Sequence, residues 1–461
     1  MSYNPDLQFR CTIIRGKSIS RMDDYLPIYA ETLSEICPIP KTEFDSAFDK
    51  KLSFYIKDDE KTICNHRTEN AGKLLGMYFE KDGIVYMSAR TKKFLRDNDQ
   101  PAFFKSICFS FQQPNGSQTI KTIRNKVNNN INIKPYHFVI ALLKLAFNEG
   151  IKLKKREIGY YVLNSLEVLQ GKVSVYEVLE EILNDRNKKI QKKISQPNKA
   201  YSYSFQHINE QFDYLELANL IRKDSTYIWL NLKESTAIDF FISDLNKPLH
   251  FDVYKYGLSD SKKLIQDWQE YYGQVSAIER KVFATNISSL DTTSQIETDT
   301  VLSEKKIPST IELGDEGEDY VLELEKEIVK AFNPRLVNKV NYHGKMKGLG
   351  YDITSIEANR NRNNPEFSRY IEVKATKRVH PPNFTDTLDT INLTRNEWVA
   401  AEQHSEHFYI YRIYFTSKGT YVRIINNPVK KNNDGILYAT PVIYRIEFGD
   451  KAVDEFIDPI K

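Results

Sequence analysis

Gly348-Leu349-Gly350-Tyr351-Asp352-Ile353, and twenty residues further on Tyr370-Ile371-Glu372-Val373-Lys374-Ala375-Thr376, are the stretches of this chain that decide its fold. The second reads as a strand. Successive side chains of a strand leave opposite faces, so Glu372 and Lys374 share one face while Val373 turns into the core. Asp352 ends a neighbouring apolar run, from where its carboxylate can reach the same spot. Two carboxylates make a hard-oxygen set suited to Mg²⁺, and an ammonium beside them can orient a water or offset charge building on a phosphate. Such a set is what metal-dependent phosphodiester cleavage requires. In a chain with 28% charged residues a Glu-x-Lys triplet also arises by accident, usually as a solvated ion pair. The apolar neighbours Tyr370, Ile371, Val373 and Ala375 argue instead for a buried strand, where unpaired charge is costly.

The order Glu318 on a helix, then Asp352, then Glu372-Val373-Lys374 resembles the PD-(D/E)XK nuclease superfamily. A wider pattern is similar to the nuclease-like domain at the C-terminus of NO VEIN-type proteins. It comprises Gly317-Glu318-Asp319-Tyr320-Val321, Gly350-Tyr351-Asp352-Ile353, Ile371-Glu372-Val373-Lys374-Ala375-Thr376 and Leu393-Thr394-Arg395-Asn396-Glu397-Trp398. That likeness spans residues 312–450. It implies a central mixed sheet flanked by helices, Mg²⁺-dependent hydrolysis, and Asp352, Glu372 and Lys374 as the catalytic set. Asp352 and Glu372 would hold the metal, with Glu318 as the supporting helix acid. The proline that names the superfamily motif is absent, since Tyr351 precedes Asp352. Glu318 has an equally good structural reading, because an acid in a first helical turn is accounted for by the helix dipole.

Around these residues the pattern predicts particular elements. Val321, Leu324, Ile328, Ala331 and Phe332 fall at helical spacing, and Asn333-Pro334 ends that run. Leu336–Tyr342 reads as a strand. The polar stretch Glu357 to Pro365 reads as a loop whose Arg360 and Arg362 leave the sheet near a scissile phosphate. Thr394-Arg395-Asn396-Glu397 has capping-box spacing ahead of a helix. Phe408–Tyr414, Thr420–Ile425 and Val442–Phe448 are aromatic and β-branched strands expected to complete the sheet.

Length and composition point to a multidomain α/β chain: 461 residues suggest about three domains. Residues 1–130 form an α+β recognition region with expected strands at Cys11–Ile14, Gly83–Met87 and Ile107–Phe111. Residues 131–199 form a helix-turn-helix or winged-helix-like module with a basic linker, and 200–285 a second winged-helix-like module. A Ser/Thr-rich tether occupies 286–311, and 312–461 is the nuclease-like domain. Basic and aromatic residues interleave from Arg90 to Arg96 and at Phe103-Phe104-Lys105, to contact phosphates or to ring a core. The run Lys154, Lys155 and Arg156 is the candidate DNA contact, with solvated surface as the plain alternative. The basic run from Arg186 to Lys199 is the weaker candidate. A loose similarity of the N-terminal part to AlwI-like restriction endonucleases carries no individual residue across.

The net charge of +3, from 65 basic and 62 acidic residues, does not by itself indicate nucleic acid. Four scattered cysteines show neither zinc-ribbon nor disulfide spacing, and Cys64-Asn65-His66 reads as a chance neighbour pair. The N-terminal residues lack the pattern of a signal peptide and no apolar run approaches membrane-spanning length, so a cytoplasmic location is expected. Together these readings give a Mg²⁺-dependent DNA endonuclease of restriction or phage-defence type, acting on double-stranded DNA. A homodimer during cleavage stays open, as do RNA or branched-DNA substrates. A non-catalytic DNA-binding protein with a nuclease-like docking domain is the reading from a different class.

Overall fold

Among the described residues, one cluster of buried apolar side chains runs from Met22 to Phe283 and another from Ile391 to Ala452. The computed structural model describes residues 22–192, 201–257, 261–291, 313–344, 346, 348–383, 388–441 and 444–457. The chain divides into two compact units, residues 1–289 and 290–461. The fold is multidomain α/β, with a helix-rich N-terminal unit and a C-terminal unit built on a mixed sheet flanked by helices.

In the N-terminal unit one succession of elements occurs twice. Helix α1 (Met22–Ile36) leads through strand β1 (Ile39–Pro40) into α2 (Lys41–Tyr55) and α3 (Glu60–Asn65). The last runs on as a π-helix to Leu74, and a hairpin of β2 (Tyr78–Lys81) and β3 (Ile84–Met87) follows. After α4 (Ala89–Asp97), α5 (Gln100–Ser110) and α6 (Ile120–Asn128) the pattern repeats. Helix α7 (Pro135–Asn148) leads through β4 (Leu153–Lys154) into α8 (Lys155–Glu157), which continues as a π-helix to Val162. Helices α9 (Leu166–Leu169), α10 (Val175–Asn187) and α11 (Tyr201–Leu217) precede a second hairpin, β5 (Ile221–Lys223) and β6 (Tyr227–Leu230).

The two small sheets have matching orders, β1-β3-β2 and β4-β6-β5. Their registers match as well: Ile39 lies opposite Val85, and Leu153 opposite Ile228. In both copies the residue opening the next helix donates its N–H to the residue before the third strand, Lys41 to Gly83 and Lys155 to Thr226. Helices α12 (Ser235–Asp244), α13 (Ser261–Tyr272), α14 (Ala277–Val282) and α15 (Ile287–Leu290) follow.

This arrangement corrects the expected boundary at 199/200. Strand β4 from the first expected module pairs with β6 from the second, so residues 135–230 build one succession and residues 22–87 its counterpart. Ile107–Phe111 is not a strand, because it belongs mostly to α5. Asp99 caps that helix by accepting from the Ala102 N–H, Pro101 sits in its first turn, and burial on every side removes any amphipathic period. Arg90 and Lys105 ring the core rather than face solvent. Arg90 donates to the Leu75 carbonyl, and Lys105 lies 2.7 Å from Glu234. The expected strand Cys11–Ile14, residues 193–199 of the basic run and residues 292–311 of the tether lie outside the described residues.

In the C-terminal unit α16 (Leu313–Phe332) precedes β7 (Asn341–Tyr342), β8 (Ile353–Ile356), β9 (Ser368–Lys377) and β10 (Asp389–Leu393). Then come α17 (Arg395–His404), β11 (Phe408–Thr416), β12 (Gly419–Asn426) and α18 (Pro428–Asn433), followed by β13 (Tyr438–Pro441), β14 (Tyr444–Phe448) and β15 (Glu455–Ile457). The main sheet has the order β15-β12-β11-β9-β8-β7, with β9 and β11 parallel and the other neighbours antiparallel. Strand β11 is buried along its whole length. Of the expected strand Val442–Phe448, the described residues 444–448 form β14, which pairs with β10 and β13 in a separate sheet, and β15 fills the edge of the main one. The expected strand Leu336–Tyr342 shrinks to two residues. Pro334 opens a 3₁₀ helix to Lys339, capped by Asn333 accepting from the Arg335 N–H.

Candidate active site

Strand β9 presents its two faces to different layers. Gly317 of α16 sits against Val373 and Ala375, so closely that a Cβ there would come within 2.7 Å of the Ala375 methyl. Glu372 and Lys374 project the other way, toward α17. Antiparallel pairing of β8 with β9 sets Ile353 opposite Ile371 and brings the preceding Asp352 beside Glu372. The Asp352 N–H donates to the Ile371 carbonyl at 2.9 Å, and its carboxylate accepts the Val373 N–H at 2.8 Å. The sequence-predicted trio Asp352, Glu372 and Lys374 is therefore assembled on one face.

A fourth member joins them. The Lys374 ammonium lies 2.6 Å from Glu372 Oε1 and 3.0 Å from Glu397 Oε2. The capping box formed by Thr394 and Glu397 holds that second carboxylate at the start of α17. Gly350, at φ +76°, lets the loop before Asp352 press against the same helix: a Cβ there would stand 2.4 Å from the Asn396 carbonyl oxygen. Beside the cluster, the Tyr370 and His404 rings stack with centroids 3.6 Å apart, and Tyr351 meets Tyr370 edge-on.

Charge in the cluster is out of balance: three carboxylates share one ammonium. Glu372 is almost wholly buried, and burial followed by the proximity of Asp352 and Glu397 pushes its carboxyl well above the usual range despite Lys374. Burial and Glu397 also raise Asp352, against the pull of the Val373 N–H and Lys374. Burial alone would lower Lys374, but Glu372 and Glu397 together raise it. Arg412 lies opposite Lys374 in the next strand and does not relieve the imbalance, since its guanidinium is committed to Asp389 at 2.9 Å. Among the described residues no three Asp, Glu, His or Cys side chains form a ready-made metal cage. The donor set suits Mg²⁺, which is commonly held by one or two carboxylates and fills its shell with water and phosphate oxygens.

The other sequence-predicted residues lie elsewhere. Glu318 accepts a hydrogen bond from the Tyr342 hydroxyl at 2.6 Å, on a helix packed against the opposite face of β9. Arg360 is not aimed at the carboxylates. It follows the far end of β8, where it makes two bonds to Glu325 at 2.7 and 2.8 Å and one to the Ile356 carbonyl. Arg362 is exposed at that same end of the strand pair. In the N-terminal unit Lys155 is largely buried, whereas Lys154 and Arg156 line an open cleft of about 460 Å³ together with Arg186, Lys189 and Lys192. His66, beside Cys64, hydrogen-bonds the Tyr29 hydroxyl and lies 3.3 Å from Asp58.

Residues 3–273 match the family described as restriction endonuclease BpuJI, N-terminal, and the chain belongs to that family. Among solved structures, it is similar to the BpuJ1 endonuclease binding domain, crystallised in complex with pyrene- and phenanthrene-modified DNA. The two share 46% identity with a TM-score of 0.57, over 59% of this chain and 100% of that one. Residues 317–425, which include the four-residue cluster, match the family described as protein NO VEIN, C-terminal. No curated protein matches the chain. No helix among the described residues is long and apolar enough to cross a membrane.

Proposed function

We propose that this chain is a Mg²⁺-dependent endonuclease of restriction or phage-defence type, in which the N-terminal unit binds double-stranded DNA and the C-terminal unit hydrolyses it. The carrying observation is the cluster of Asp352, Glu372, Glu397 and Lys374 on one face of the main sheet, with its surplus of negative charge. A buried surplus of this kind is costly in a purely structural network and suits a site completed by a divalent cation. Bound there, Mg²⁺ would supply Lewis acidity and an activated water. Asp352 and Glu372 offer it oxygens, and Lys374 brings a positive charge to the place where phosphate charge builds up. The PD-(D/E)XK likeness of the sequence agrees with these roles.

DNA binding by the N-terminal unit is supported by its family and by the relative solved with modified DNA. The order helix, short strand, helices, hairpin supports reading each succession as a winged-helix reader. Of the predicted contacts, Lys154 and Arg156 line an open cleft rich in basic residues, which supports reading them as phosphate contacts. Incubating the purified protein with methylated and unmethylated DNA, with and without Mg²⁺, tests the function. Cleavage that needs the metal and disappears in Asp352→Ala and Glu372→Ala is the expected result. Cleavage by the Asp352→Ala protein, free of contaminating nuclease, overturns the assignment.

A further inference from the structure

Glu397 enters the sequence pattern as the third residue of a capping box, and that duty alone does not explain where its carboxylate lies. Oxygen Oε2 accepts the Thr394 N–H at 2.9 Å and the Lys374 ammonium at 3.0 Å. The Glu397 N–H in turn donates to Thr394 Oγ1 at 3.3 Å. The carboxylate is thus fixed from its own helix and reaches across to a strand 23 residues earlier in the chain. Capping needs only an acceptor, and glutamine serves in the same position. The negative charge is surplus to the cap.

Its use lies in the competition for Glu372. That carboxylate is the nearer partner of Lys374 and, on the proposed hydrolytic reading, also a donor to the metal. Once its oxygens are committed to a cation, a lysine anchored by Glu372 alone would be repelled by the incoming charge and released toward solvent. We propose that Glu397 is a positioning residue for Lys374, holding the ammonium from a second element so that it keeps its place when Glu372 is engaged. This inference rests on the hydrolytic reading of the site. It adds that α17, and not the strand alone, sets the position of the lysine.

The variant Glu397→Gln keeps the cap and removes the charge. The full-length protein is compared as wild type, Glu397→Gln, Lys374→Met and the double variant in single-turnover cleavage of DNA with Mg²⁺, alongside DNA affinity and melting temperature. Glu397→Gln is expected to slow cleavage tenfold or more with DNA affinity unchanged within about twofold and melting barely moved. In the Lys374→Met background the same change should have no further effect, because residues acting through one another are not additive. A wild-type rate in Glu397→Gln, or a full additional loss in the double variant, overturns the proposal.

Crystal structures of wild type and Glu397→Gln decide the point even if no DNA is cut or Lys374→Met is too slow to measure. With Mg²⁺ bound in both crystals, Lys374 displaced or disordered in the variant upholds positioning, and Lys374 unmoved overturns it. A wild-type protein that cuts no substrate while its lysine still depends on Glu397 would sink the hydrolytic reading and leave the pairing intact.

Discussion

Asp244 in the N-terminal unit and Glu372 in the C-terminal unit are both buried carboxylates beside a lysine, yet their surroundings differ in sign. Lys134 and His250 each lie 2.7 Å from Asp244, His137 3.3 Å and Lys247 3.4 Å. Burial opposes ionisation there, but His137 and Lys134 hold the acid well below the usual carboxylate range. Glu372 shares its one ammonium with two further acids and moves the other way. Other buried acids in the C-terminal unit are balanced, Glu325 by Arg360 and Asp389 by Arg412. Against these described acids, excess negative charge sets the cluster around Glu372 apart. A buried acid held by two lysines and two histidines is complete on folding, whereas one that shares a cation with its rivals is completed by something added.

Removing Asp352 should separate the two kinds of site most widely. Asp352→Ala is expected to cut single-turnover cleavage by a thousandfold or more, about 4 kcal/mol in barrier, while DNA binding persists. The counterpart change, Asp244→Ala, should leave the chemistry alone and destabilise the N-terminal unit by about 3–5 kcal/mol, because Lys134 is left buried without its acid. Calorimetric unfolding checks this. A stable Asp244→Ala protein that had lost cleavage would break the comparison.

Acid should act on the two units with opposite sign. His137 is packed between Phe109 and Phe241, and burial lowers its imidazole to about 4, with Asp244 opposing and Lys134 assisting. A depressed value means full stability above the unfolded value of about 6.5, lost as pH falls toward 4, on the order of 3 kcal/mol for the N-terminal unit. Glu372 is raised, so its contribution is full below the ordinary carboxylate value and is lost as pH rises through the folded one. Unfolding followed by domain-specific hydrogen exchange between pH 4 and 8 should show these trends, and parallel trends in the two regions would contradict them.

The smallest effect expected is a gain. In metal-free buffer at neutral pH, Glu372→Gln should stabilise the C-terminal unit by about 1–2 kcal/mol, since it removes one of three crowded acids. Added Mg²⁺ should stabilise the wild type but not this variant. Unchanged melting in both cases would mean that the surplus charge is already neutralised.

What was legible in the sequence depended on how far a residue's partners lay along the chain. Glu372 and Lys374 sit two apart on a strand long enough to show its alternation, so their shared face could be read directly. Strand β4 has only two residues, too few for any alternation, and the pairing that joins residues 153 and 228 left no local trace. Helix α5 is buried on all sides and lost the period that distinguishes helix from strand. Arg360 looked like a free loop arginine because Glu325 lies 35 residues upstream on another element. Glu397 was visible as a cap, a local property, but its reach to Lys374 is tertiary. An acid at the head of a helix that follows a Glu-x-Lys strand was the one signal available for it.

Gly350 gives the cluster its gauge. Its missing side chain lets the loop that ends in Asp352 rest directly on the Asn396 carbonyl and the Ala400 methyl of the helix that carries Glu397. Loop and helix meet there with no spacer, and such close-packed contacts yield little to compression. The separation between the acid from the loop and the acid from the helix is thereby machined into the main chain, to a tolerance that flexible side chains could not hold. Even a single methyl group would act as a shim, opening the jaws of the site while leaving every charged residue in place.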